Sequence, residues 1–175
     1  MAETVHLPEM PVVEVLVLLT LFDAHGIPCV IDGGWAVDAV LGEQTRPHSD
    51  LDIVIPQTDV PKIRALLGKR KYRDMSRPDT RECNFVMGDA RGHDVDIHTV
   101  LFDENGNNTF GVDYPFESLK GYGTLAGHTV RCVPVEWLVK FHTGYELDEN
   151  DYHDMKILRE RFGMMLPAVF KKFQQ

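Results

Sequence analysis

The first long apolar run, "VVEVLVLLTLF" at 12–22, is interrupted only by Glu14 and Thr20. Pro11 suits the first turn of a helix, Gly26 suits its stop, and Pro28 blocks continuation, so the pattern predicts a helix over 11–24. "CVI" at 29–31 then reads as a short buried strand, Gly33 and Gly34 as a turn, and "WAVDAVLG" at 35–42 as a short helix capped by Gly42. At "DLDIVI", 50–55, alternation passes into an apolar end closed by Pro56, as in a central strand. A helix over 59–67 follows, then extended pieces at 72–75, 83–87 and 93–102, a turn at "DENGNN" and a hairpin in "GTLAGHTVRCV". Helical patterning at 135–145, 150–162 and from 166 to the end closes the chain. This order predicts an α+β fold: a mixed sheet flanked by helices, with helices last. The 175 residues suffice for one unit, divided into an α/β core over about 1–133 and a helical segment over about 134–175.

Composition, 43% hydrophobic and 26% charged, is that of an ordinary globular chain. The first apolar run is too short for a bilayer, and the three cysteines, Cys29, Cys83 and Cys132, have neither disulfide-framework nor zinc spacing. The expectation is a cytoplasmic protein with reduced, mostly buried thiols and no membrane partner. A net charge of −9 argues against a broad grip on nucleic acid; it suits a cationic partner, and it equally suits solubility alone.

Strand periodicity sharpens the chemistry. Asp50 and Asp52 fall on one face about 6.6 Å apart, with Leu51, Ile53 and Ile55 on the other. In "HDVDIHTV", Asp94, Asp96 and His98 likewise share a face opposite Val95 and Ile97. Like charges this close resist joint ionisation unless a cation holds them, and hard oxygen ligands suit Mg²⁺. Gly33 and Gly34 offer a backbone that a phosphate can approach, where the next helix begins. Alone, each signal has a plainer reading: an Asp-x-Asp pair on a solvated edge strand, or a simple turn.

The conjunction of glycine turn, helix, acidic strand and second acidic strand resembles the polymerase-β-like nucleotidyltransferase superfamily, through Gly33-Gly34, Asp50 with Asp52, and Asp96. The stretches "DGGWAVDAVLGEQTRPHSDLDI", "GHDVDIHTVLFDENGN" and "FHTGYELDENDYHDMKIL" are similar to the small antibiotic nucleotidyltransferases, nearer to those acting on lincosamides than to those acting on aminoglycosides. The likeness weakens over 56–80, and Asp94 and the "RPDTREC" turn have no counterpart in it. The resemblance implies a nucleotidyltransferase fold with C-terminal helices. It also implies transfer of a nucleoside monophosphate, usually AMP from ATP, to a hydroxyl of a small cationic acceptor, releasing pyrophosphate. Asp50, Asp52 and Asp96 would then hold Mg²⁺, two ions by expectation, with Asp96 also the base; a homodimer is compatible with it. A protein or tRNA acceptor, as in toxin–antitoxin pairs, and a catalytically silent nucleotide-binding module are the competing readings.

Arg46 either contacts the triphosphate or neutralises the aspartates. Asp38 either binds a ligand amine or caps neighbouring backbone, while Trp35 is assigned to the core, His98 to a structural hydrogen bond, and His48 to no role. The resemblance places the late helices beside nucleotide or acceptor, which makes Lys140, His142, Tyr145 and Lys156 site candidates; spacing alone reads such charges as a solvated helix face.

Overall fold

The computed structural model describes residues 9–143 and 145–173. Helix α1 (Val12–Ala24) starts after Pro11 and buries Val15, Leu18 and Phe22 completely. The chain turns at Gly26 into the two-residue strand β1 (Val30–Ile31), then into α2 (Gly33–Leu41), which ends on the left-handed Gly42. Strand β2 (Asp50–Pro56) buries Leu51, Ile53, Val54 and Ile55, and α3 (Val60–Lys69) covers the sheet with Ile63 and Leu67.

Strands β3 (Arg73–Met75), β4 (Asn84–Gly88), β5 (Asp94–Phe102) and β6 (Asn108–Gly111) follow, then the hairpin β7 (Gly121–Leu125) and β8 (His128–Cys132). They form one mixed sheet in the order β3-β4-β5-β2-β1-β8-β7, with β6 beside β5. The nine residues of β5 are long enough for β4 to pair with its first half and β6 with its end. Helices α4 (Val135–Phe141) and α5 (Glu149–Phe162) come last. A capping box between Asp148 and Asp151 fixes the start of α5, because each side chain satisfies the other's backbone N–H.

The α+β architecture with late helices is therefore present, and Trp35 is a core residue, 1% exposed. Several boundaries moved for physical reasons. Helix α2 begins at Gly33, so the glycine pair is its first turn rather than a separate turn. Helix α4 stops at Phe141, short of the expected 145, and position 144 lies outside the described residues. The final segment forms a 3-10 turn over Ala168–Phe173, with 174–175 outside the described residues. Strand β6, "NTFG", has no buried face and left no alternation to read. Of the thiols only Cys132 is buried; Cys29 and Cys83 are half-buried. No described helix is long and apolar enough to cross a membrane.

Candidate active site

The two acidic strands are direct neighbours. β2 pairs with β5 in parallel, placing Asp50 opposite Asp94 and Asp52 opposite Asp96. Apolar residues at alternate positions hold both strands in this register, since a one-residue slip would bury the carboxylates. Burial pushes the Asp52 carboxyl well above its ordinary range, and the charges of Asp50, Asp96 and Asp32 raise it further. Burial also raises Asp96; His98 opposes this and Asp50 adds to it. One oxygen of Asp96 is buried with no hydrogen-bond partner.

Helix α2 brings its first turn against this cluster. Gly33 has φ +61°, and a Cβ there would lie 2.2 Å from Oδ2 of Asp52. At Gly34 a Cβ would meet His48 Nδ1 at 2.5 Å and Arg46 Nη2 at 2.6 Å. Both glycines are thus required by close approach of side chains.

The loop before β2 is fixed by two buried acids. Asp38, fully buried on α2, accepts from the backbone N–H and hydroxyl of Thr45 and pairs with His48 Nε2 at 2.5 Å. Asp154 of α5, 1% exposed, accepts from Arg46 Nε at 2.8 Å and Nη2 at 2.6 Å. Burial works against the Arg46 charge, but this two-pronged bond and the Asp154 charge hold its pKa above the ordinary value.

A cavity of about 570 Å³ opens over the cluster, between α2, β2, β5 and the start of α5. Asp32, Asp50, Asp52, Asp113, Asp148, Asp151 and Asp154 all line it, with Phe141 and Tyr145. Tyr114, 4% exposed, donates to Asp32 Oδ2 at 2.5 Å and lies 2.7 Å from His98 Nδ1. Burial and the Asp32 charge drive its pKa up, so the phenol keeps its proton. Tyr145 donates to Asp151 at 2.7 Å, and burial followed by that acid raises its pKa too.

Asp50, Asp52, Gly33, Gly34, Arg46, His142 and Tyr145 therefore come together around one cavity, with Asp96 beside Asp52. Three expectations change. Asp38 is sealed beneath the loop, where it serves Thr45 and His48, and has no access to a ligand amine. Lys140 and Lys156 are exposed and outside the cavity lining; Lys140 lies over the Trp137 ring instead. Arg46 neutralises an aspartate, but that aspartate is Asp154 on α5.

His48, assigned no role, is buried at 3% exposure and lines the cavity, because Asp38 draws it inward. Asp32, Asp113 and Tyr114 went unnoticed. Asp32 was legible in principle, as the residue between a buried strand and the glycine pair; Tyr114 follows an irregular loop and carries no periodic signal.

Among the described residues no group of three or more His, Cys, Asp or Glu side chains could hold a metal ion. The donors present nonetheless fit a hard divalent ion: Asp50 and Asp52 share a face, and the charges of Asp50, Asp96 and Asp32 converge on Asp52. Mg²⁺ commonly takes one or two carboxylates and completes its shell with substrate phosphates and water.

The fold is that of the nucleotidyltransferases, and the class is the antibiotic-modifying one. Residues 14–158 match the profile of the aminoglycoside-2''-adenylyltransferases, and the chain belongs to that family. It is 29% identical over 153 residues to a lincosamide resistance protein of Staphylococcus haemolyticus, covering 83% of this chain and 92% of that one. It is 36% identical over 61 residues to a 2''-aminoglycoside nucleotidyltransferase of Escherichia coli, covering 33% of this chain and 34% of that one. Two crystal structures share the fold. One is the lincosamide antibiotic adenylyltransferase LnuA with lincomycin bound (TM-score 0.73, 23% identity, 86% of this chain and 98% of that one). The other is ANT(2'')-Ia with adenylyl-2''-tobramycin (TM-score 0.72, 21% identity, 94% and 98%). Membership implies a nucleoside triphosphate co-substrate and a divalent metal ion.

Proposed function

We propose that this protein transfers AMP from ATP, with Mg²⁺, to a hydroxyl of a lincosamide or aminoglycoside antibiotic in the cytoplasm. The observation that carries this reading is the register of β2 and β5, which sets Asp96 opposite Asp52 inside a fold of this family. The acceptor oxygen attacks the α-phosphorus, the bond from that phosphorus to the bridging oxygen breaks, and pyrophosphate leaves. Asp96 receives the hydroxyl proton; its raised pKa makes it a better base than an exposed aspartate. Asp50 and Asp52 would hold a divalent ion, which when bound would neutralise triphosphate charge and polarise the phosphoryl group.

The acid-lined cavity with Phe141 and Tyr145 suits a cationic acceptor with an apolar face. The helical segment from about 134 supplies that side of the cavity, so we read it as the acceptor-facing part of the unit. The test is pyrophosphate release from each nucleoside triphosphate with Mg²⁺ against lincomycin and tobramycin. ATP with at least one antibiotic is expected to give acceptor-dependent release and an AMP mass increment, both lost in Asp96→Asn. Silence with every pair overturns the reading.

A further inference from the structure

The aspartate face of β2 and β5 runs on past the acidic cluster. Alternation carries it to Val54 on β2 and to Val100 and Phe102 on β5. With Val30 of β1 these residues floor a second cavity of about 430 Å³, walled by Phe116 and Leu119. Val30, Val54, Val100 and Leu119 are buried, and the Phe116 ring packs edge-on against Phe102 with centroids 5.1 Å apart. An apolar cavity of this size falls within the ~300–1,000 Å³ of small-molecule sites.

Its charge is the reverse of the catalytic cavity's. Seven aspartates line that one, whereas Lys120 and Arg131 are the only charged residues lining this one among the described residues. Lys120 pairs with Glu117 at 2.7 Å and lies 4.4 Å over the Phe116 ring. Arg131 has no ion pair among the described residues. Its guanidinium reaches the Leu119 carbonyl at 3.5 Å, the outer limit of a hydrogen bond, whereas Arg46, Arg70 and Arg77 each hold a carboxylate. An uncommitted guanidinium beside an apolar floor has a fork to offer a planar anion.

We propose that this cavity is a second ligand site, for a small amphipathic carboxylate whose apolar body lies on Val54 and Val100 and whose carboxylate is held by Arg131. An exposed ion pair alone is worth at most about 1 kcal/mol, so the apolar body supplies most of the affinity and the guanidinium the choice of charge. The inference is independent of the transferase reading.

The test is a methyl NMR titration of the full chain with decanoate, with decylammonium and acetate as comparators. Decanoate is expected to shift the methyls of Val30, Val54, Val100 and Leu119 saturably, with decylammonium weaker there by about fivefold and acetate without effect. Arg131→Gln should weaken decanoate about fivefold. Leu101→Glu, at a lining residue 41% exposed, should abolish decanoate binding, and both variants should melt as wild type does. Absence of saturable shifts at these methyls overturns the proposal, as does equal affinity for decanoate and decylammonium or for wild type and Arg131→Gln. Self-association of the chain that Leu101→Glu abolishes assigns this face to a second copy and overturns it too.

Discussion

Carboxylates crowd together at two places in the molecule and are treated in opposite ways. Away from the cavity, Glu14 accepts from Arg70 Nη2 at 2.9 Å and Tyr72 at 3.0 Å. Asp89 accepts from the backbone N–H groups of Arg91 and His93 and from the Arg91 side chain. Burial alone would raise both acids, but these donors outweigh it and lower them. At the cavity, Asp50, Asp52 and Asp96 have no arginine directly on them, because Arg46 is committed to Asp154 and Arg77 to Asp94. The acids away from the cavity thus have donors and cations supplied by the fold, whereas the three at the cavity have no such partner arginine.

The largest expected break comes from Asp50→Asn or Asp52→Asn, each lowering pyrophosphate release by about 10³-fold. Asp52→Asn should at the same time raise the melting temperature of the ligand-free protein by roughly 2–4 °C, since it relieves repulsion worth about 1 kcal/mol. A melting temperature lowered by this change would remove the contrast. Next, Glu14→Gln should destabilise by about 2–3 kcal/mol in urea unfolding, by leaving Arg70 without its anion, while kcat of the folded enzyme stays unchanged. Gly33→Ala should cost about 1–2 kcal/mol and most of the activity, because φ +61° disfavours alanine and the new methyl displaces Asp52.

The pH dependence separates the clusters by sign. Glu14 and Asp89 titrate below their unfolded values, so their stabilisation is present above the ordinary carboxylate range and is lost as pH falls through their lowered pKa values. Asp52 and Asp96 titrate above their unfolded values. They weaken the fold at neutral pH, and stability is regained as pH falls through their raised pKa values toward the ordinary range. Melting curves from neutral pH downward should show that gain in wild type and not in Asp52→Asn/Asp96→Asn, with the later acid loss common to both. The smallest effects belong to Lys140→Ala and Lys156→Ala, expected within about 0.5 kcal/mol of wild type and near-normal in turnover.

Much of this contrast was readable in the sequence. Asp50, Asp52 and Asp96 announced themselves because period-2 alternation states which face a side chain takes, and Gly33 because its neighbours were a strand and a helix pattern. Pairing was not readable: nothing local says that Arg46 meets Asp154 across 108 residues, or that His48 turns inward to Asp38. Those contacts are set by how α5 and the loop dock, and a charged helix face at 150–162 looks the same whether it faces solvent or a buried arginine. Lys140 and Lys156 were over-read for that reason, and Asp154 under-read.

The bond from Arg46 to Asp154 also constrains the order in which the enzyme comes into being. On the ribosome the acidic strands emerge well before α5, so the loop carrying Arg46 has no Asp154 to pair with through the synthesis of the whole sheet. A nascent chain therefore has its aspartates early and the α5 wall of the cavity late.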